Sequence, residues 1–228
     1  MSLKELYSQE TIKREFRAEK LFSLLMNNDF LGIQAQLMAV KKNEKMIFQE
    51  DGVDYVYYIR EGIACIHIEE QIIDFRGADE FAGLVDSTPM NRNAFHLTPL
   101  VDLVVWRFEK NEVIAKIMST QDGYLFHYNS MIDCYHIYTN RIMLNEESAE
   151  ERTLVTLQYI GTKFGEKNGD YFVIPIAFTR KLLAAYLGIS RTKLSDILKK
   201  LRYLGWISID KKRQIKVYSN KLTSKADL

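Results

Sequence analysis

Residues Thr179–Leu201, TRKLLAAYLGISRTKLSDILKKL, decide how this chain is read. The spacing predicts two short helices separated by a turn at Leu187-Gly188-Ile189. Thr179 and Ser190 stand where they can cap them, because a hydroxyl ahead of a helix accepts one of its orphan backbone N–H groups. Leu183, Leu187, Ile189, Leu194, Ile197, Leu198 and Leu201 supply apolar faces at helical spacing. Ala184 lies four residues before Gly188, where a bulky side chain would keep the helices apart. The second helix is left with a polar face that can enter a DNA major groove. The stretch reads as a helix-turn-helix; the alternative is a helical hairpin with a solvated charged face.

Two short alternating runs follow, Trp206–Ile209 and Ile215–Val217, joined by Asp210-Lys211-Lys212-Arg213-Gln214. They form a hairpin pattern without the Asn-Gly pair that marks the tightest turns. Such a wing would set Lys211, Lys212 and Arg213 beside phosphates. The charge distribution agrees. The whole chain holds 31 Lys and Arg against 30 Asp and Glu, but from Ile176 onward there are 13 against three. The first 175 residues carry 18 against 27, so −9 in front faces +10 behind. That asymmetry fits one domain that meets a polyanion, with affinity falling as salt rises. The candidate DNA contacts are Thr179, Arg180, Ser190, Arg191, Thr192, Lys193, Ser195, Lys199, Lys212 and Arg213.

At 228 residues, 47% of them apolar, the chain is long enough for two cores. No apolar run approaches the roughly 20 residues that span a bilayer, and MSLKELYSQETIKREF is too charged for a secretory signal. Cys65 and Cys134 do not make a disulfide framework. A soluble, cytoplasmic protein without a membrane partner is expected.

The front half has another rhythm. A charged, helical lead-in to about Asn28 gives way to short alternating runs at Lys45–Gln49, Tyr55–Arg60, Ile63–Ile68, Gln71–Phe75, Asn93–Thr98 and Asp102–Phe108. Asp51-Gly52, Glu61-Gly62, Gly77, Pro89 and Pro99 punctuate them, which predicts a small β-sandwich or β-roll. Helix resumes near Glu109. From Tyr124 to Asn145, the residues Tyr124, Tyr128, Met131, Tyr135, Tyr138 and Ile142 alternate spacings of four and three. That is a heptad seam, suited to pairing with a copy of itself; a stripe packed on its own β domain is the alternative. A dimer would present two recognition helices to two half-sites.

A β-roll, a long helix and a winged helix-turn-helix, in that order, resemble the cyclic-AMP receptor protein and fumarate–nitrate regulator (Crp/Fnr) superfamily. The likeness runs from about Phe30 to Asn220. Met46–Ile68 resembles the first half of the family's roll, with Gly52 and Gly62 at turns and Tyr57 and Ile59 between. Ile174-Pro175-Ile176 resembles the strand leading into the two helices, and Ser190-Arg191 falls where the recognition helix begins. The resemblance implies an α+β chain in three parts: an N-terminal helix and roll over 1–110, connecting and dimerisation helices over 111–146, and a winged helix-turn-helix over 147–228. It implies a homodimeric transcription regulator that binds double-stranded DNA at an inverted repeat and contacts RNA polymerase. Arg191 matches the family's first base-reading Arg, whose guanidinium suits guanine O6 and N7. Thr192 stands in place of a Glu and Asp196 in place of a second Arg, so the sequence preference is expected to differ. Asp196 can accept from a cytosine, orient Arg191 or Lys193, or remain solvated.

Nucleotide-binding members carry a Gly-Glu-Leu segment for the ribose and an Arg, a hydroxyl residue and Ala for the cyclic phosphate. Here Leu84 follows Gly83 where the Glu belongs, and Asn93 follows Arg92 where the hydroxyl belongs. A ribose diol left unpaired against Leu costs about 1–3 kcal/mol per hydroxyl. Cyclic-nucleotide binding is therefore not expected, although Gly83, Leu84, Arg92 and Asn93 still outline a candidate pocket for another effector. With no cysteine before Cys65, an iron–sulfur cluster of the family's kind is excluded. Cys65 and His67 alternate along one strand and read as a buried thiol and a partly buried imidazole. His127 and Cys134, seven apart on the long helix, lack zinc-module spacing. Neither metal nor cofactor is expected, and no nucleophile–base grouping suggests an enzyme. The competing reading is a metabolite-binding module whose C-terminal domain contacts protein instead of DNA.

Overall fold

The computed structural model describes residues 8–85, 95–211 and 213–219. The chain divides into two compact units, Met1–Ile137 and Tyr138–Leu228. Among the described residues, no helix is long and apolar enough to cross a membrane.

Among the described residues, the first unit begins with two short helices, α1 (Gln9–Glu15) and α2 (Ala18–Met26). Ser8 caps α1, its hydroxyl accepting from the Thr11 N–H at 3.2 Å. Nine strands follow among the described residues: β1 (Ala35–Val40), β2 (Met46–Ile47), β3 (Gln49–Glu50), β4 (Val53–Glu61), β5 (Ala64–Ile68), β6 (Gln71–Arg76), β7 (Glu80–Ala82), β8 (Phe95–Pro99) and β9 (Leu103–Glu109). They make two antiparallel sheets, one ordered β1-β9-β4-β3 with β7 also on β4, the other β2-β8-β5-β6. The run expected at Lys45–Gln49 is two strands, because the chain changes sheets there. Met46 pairs with Leu97 in one sheet, Gln49 pairs with Asp54 in the other, and Phe48 turns inward at the corner. β1 was not expected: AQLMAV is composed of good helix formers, and pairing with β9 overrides that weak preference.

Helix resumes at Lys110, directly after β9, with α3 (Lys110–Met118) and then α4 (Tyr124–Asn145), which has the bounds the seam predicted. Leu21 and Leu25 of α2, Val56 and Tyr58 of β4, Phe108 of β9, Val113 and Ile117 of α3 and Phe126 of α4 share one buried cluster. Each such side chain stabilises the fold by about 1.5–3 kcal/mol. Lys116 fastens α3 to the end of α2, its buried ammonium donating to the carbonyls of Leu25 and Asn27. For these reasons α3 and the start of α4 are one body with the roll. The two compact units meet at 137/138, within α4.

The second unit contains α5 (Ala149–Phe164), β10 (Glu166–Asn168), β11 (Tyr171–Val173), α6 (Arg180–Leu187), α7 (Arg191–Tyr203), β12 (Ile207–Ile209) and β13 (Ile215–Tyr218). Ser148 and Glu151 form a capping box at the start of α5, so Glu151 is more than the surface charge its neighbours suggest. The hairpin β12–β13 pairs as expected but is half of a four-stranded sheet, β10-β11-β13-β12. Ile174-Pro175-Ile176 is not the strand leading into the helices. β11 ends at Val173; the Ile174 N–H still donates to Ile215 at 2.9 Å, and Pro175 has no N–H with which to continue. Leu154, Leu157, Ile160, Ile174, Phe178, Leu183, Leu194, Ile197, Leu198, Leu201, Ile207 and Val217 are buried in this unit.

Candidate nucleic-acid interface

Both helices of the turn are capped by the predicted hydroxyls. Thr179 Oγ1 accepts from the Leu182 N–H at 3.2 Å, and Ser190 Oγ accepts from the Lys193 N–H at 3.1 Å. Between them Gly188 is left-handed at φ 65°, a conformation that disfavours any side chain although space is open around it. Ile189 returns its N–H to Ala184 at 3.1 Å, and Ala184 is buried as its small size requires.

α7 buries Leu194, Ile197, Leu198 and Leu201 and turns Arg191, Thr192, Lys193, Asp196, Lys199 and Lys200 to solvent. Ser195 is half-buried, and its hydroxyl donates back to the Arg191 carbonyl at 2.9 Å. The Asp196 carboxylate accepts from Lys199 at 2.9 Å. Of the three roles open to Asp196, the structure agrees with the solvated one: the side chain is exposed and pairs with Lys199 on the surface of the same helix. A groove of about 500 Å³ lies along this face, lined by Arg180, Ser195, Lys199, Arg202, Tyr203 and Ile209, with three cations and no carboxylate. Arg180 also borders a second hollow of about 380 Å³ together with Thr179 and Arg213. Tyr203, which the sequence did not single out, is 91% exposed at the end of α7.

The wing turn is organised by Asp210 rather than by an Asn-Gly pair. Its carboxylate accepts from the Gln214 N–H at 2.9 Å, and its carbonyl accepts from the Arg213 N–H at 3.0 Å. That leaves the Arg213 side chain exposed. Lys212 lies outside the described residues.

Of the seam residues, Tyr124, Tyr128, Met131, Tyr135 and Ile142 are exposed and Tyr138 is half-buried. The opposite side of α4 packs inward through Leu125, Phe126 and Asn129, the last donating to the Phe16 carbonyl at 3.3 Å. At the far end of α4, the Arg141 guanidinium lies over the Tyr186 ring, 4.6 Å from its centroid, and donates to the Tyr186 carbonyl at 3.3 Å. Thus α4 ends on the first helix of the helix-turn-helix, a contact no periodicity announced.

In the roll, Leu84 is buried in the apolar cluster and also borders a small cavity of about 100 Å³ with Arg76, Glu80, Ser130, Asp133 and Cys134. Gly83 instead packs tightly: a Cβ there would lie 2.7 Å from Phe48 and from the Tyr55 carbonyl oxygen. The Gly83 carbonyl accepts from Lys110 at 2.8 Å. Arg92 and Asn93 lie outside the described residues. Beside the cavity, Arg76 and Asp74 form a buried ion pair on β6. Its sequence signal was an Arg and an Asp two apart in an otherwise apolar strand. Burial raises the Asp133 carboxyl above the ordinary range and pushes the Cys65 thiol up to about 12. The His67 ring stacks on His96 at 4.6 Å, and burial, then the His96 charge, bring its pKa down to about 4. Among the described residues no group of three or more His, Cys, Asp or Glu could hold a metal ion.

A capped helix-turn-helix with a basic groove and wing thus follows a β-roll and a long helix. Residues 151–219 match the family model of the Crp-like helix-turn-helix domain, and the whole chain has a fold known from solved structures. It is similar in fold to a cyclic nucleotide-binding domain containing protein from Listeria monocytogenes EGD-e, at 17% identity and TM-score 0.74, covering 89% of this chain and 97% of that one. FixK2 from Bradyrhizobium japonicum matches at 17% identity and TM-score 0.68, over 86% and 96%. A CRP/FNR-family transcriptional regulator from Thermus thermophilus matches at 15% identity and TM-score 0.62, over 85% and 99%. No curated protein matches the sequence.

Proposed function

We propose that the protein binds an inverted-repeat promoter site as a homodimer. In this reading α4 pairs with its copy, α7 of each chain enters a major groove, and the bound dimer contacts RNA polymerase. The carrying observation is the groove along α7, lined by Arg180, Lys199 and Arg202, of which Lys199 is paired with Asp196 beside it. A surface of that kind suits phosphates, and Arg191 at the first position of α7 can reach a guanine edge. The exposed seam supports the dimer: large apolar side chains at heptad spacing on a helix that already packs by its other face are costly to leave in water.

The roll, in this reading, takes no cyclic nucleotide. Leu84 lies in the apolar cluster and offers nothing to a ribose diol, and Glu80 and Asp133 beside it oppose an anion. The test is selection of duplexes from a random pool by the purified full-length protein with no effector added. An inverted repeat with half-site centres about 10 base pairs apart is the expected product. Absence of any enriched sequence, with cell extract or without, would favour a C-terminal domain that contacts protein.

A further inference from the structure

The cavity beside the roll is bordered by a side chain of the protein that already makes the bonds a small ligand would make. Arg76 leaves β6 and is almost wholly enclosed, its side chain 7% exposed and that of Asp74 2%. One face of its guanidinium pairs with Asp74. Its Nε donates to the Phe81 carbonyl on β7 at 3.3 Å. Its Nη2 meets Cys134 Sγ on α4 at 3.8 Å. One planar cation thus touches two strands of the roll and the long helix. Cys134 lies between the seam residues Met131 and Tyr135, so whatever holds Cys134 fixes the rotation of α4 and the direction in which the seam points.

We propose that Arg76 is a built-in occupant of the small cavity beside Leu84, a positioning residue that clamps α4 to the roll and keeps the protein DNA-competent without a small molecule. A fork of donors suits this task because it bonds in several directions within one plane. The remaining charges around the cavity, Glu80 and Asp133, are acidic, so a diffusible anion has no uncommitted cation to displace Arg76 with among the described lining residues. This rests on the DNA-binding reading above.

Breaking half of a buried ion pair risks unfolding, so the informative variant is the double one, Asp74→Asn with Arg76→Met, which keeps the volume and removes both charges. It is expected to fold with a Tm near that of the wild type, to bind the selected duplex about tenfold more weakly, and to expose Cys134 to faster maleimide labelling. In Arg76→Ala, methylguanidinium at tens of millimolar should restore DNA affinity where equal sodium chloride does not. A folded double variant that binds DNA within about twofold of wild type, or labels no faster at Cys134, overturns the clamp while leaving the DNA reading intact. A wild type that binds no duplex overturns the DNA reading and the clamp together.

Discussion

Tyr135 offers the sharpest separation between the seam and a merely packed helix. Its residue surface is 64% exposed in the single chain. A tyrosine that buries about 150–250 Å² when fully enclosed therefore keeps roughly 100 Å² or more for a partner. At about 25 cal/mol per Å² that is about 2.5 kcal/mol per chain, and a two-fold dimer contains it twice, about 5 kcal/mol. Tyr135→Ala should weaken the dimer by about four thousandfold, at about 1.4 kcal/mol per tenfold. Residual burial at the truncated site would reduce this to roughly a hundredfold. The stability of the single chain should change by no more than about 0.5 kcal/mol, because the side chain touches little there and Ala is the better helix former. Sedimentation equilibrium over a concentration series reads the first quantity and urea unfolding below the dissociation range reads the second. An unchanged dimer constant, or a loss of single-chain stability with the dimer intact, would show that the stripe packs within the chain.

Three further outcomes follow from the geometry. The His67 imidazole is held neutral down to about 4 against an ordinary 6.5, so the unfolded chain takes up the proton first. Stability from this site is present above about pH 6.5, is lost as pH falls toward about 4, and is flat below. Because the ring is half-exposed, the loss is on the order of 1 kcal/mol; His67→Phe should flatten that part of the pH–stability curve, and identical curves for both proteins would contradict it. Arg191→Ala should relax preference at one base pair, at about 1–3 kcal/mol, whereas Lys199→Ala should weaken all duplexes alike and reduce the salt slope by about 1; binding titrations at several salt concentrations separate the two. Thiol labelling of the native protein should modify Cys134 well before Cys65, whose burial puts its thiol near 12; mass mapping that finds Cys65 modified first would be inconsistent with its enclosure.

Local chemistry made the recognition elements legible. Thr179, Gly188 and Ser190 act through their immediate neighbours, so the helix-turn-helix could be placed from spacing alone, and the heptad run gave α4 its full length. What escaped was set by distant partners. β1 is built mostly of helix formers and is a strand only with β9 beside it, and β10 and β11 are three residues each, too short for a period to show. Arg76 reaches Cys134 across 58 positions, and Arg141 reaches Tyr186 across 45. The Asp-x-Arg pattern in an apolar strand bears only on the Asp74–Arg76 ion pair, since two opposite charges on one face of a buried strand must satisfy each other, and not on Cys134. The wing hairpin was read without the Asn-Gly pair that would mark it strongly; Asp210 supplies a turn bond from its side chain instead.

The central claim is a two-chain complex on two half-sites, and the mass of the protein–DNA complex tests it most directly. Native mass measurement of the full-length protein on its selected duplex should give two chains per duplex, and scrambling one half-site should lower affinity by more than about tenfold. One chain per duplex, with affinity unchanged when either half-site is scrambled, would contradict it.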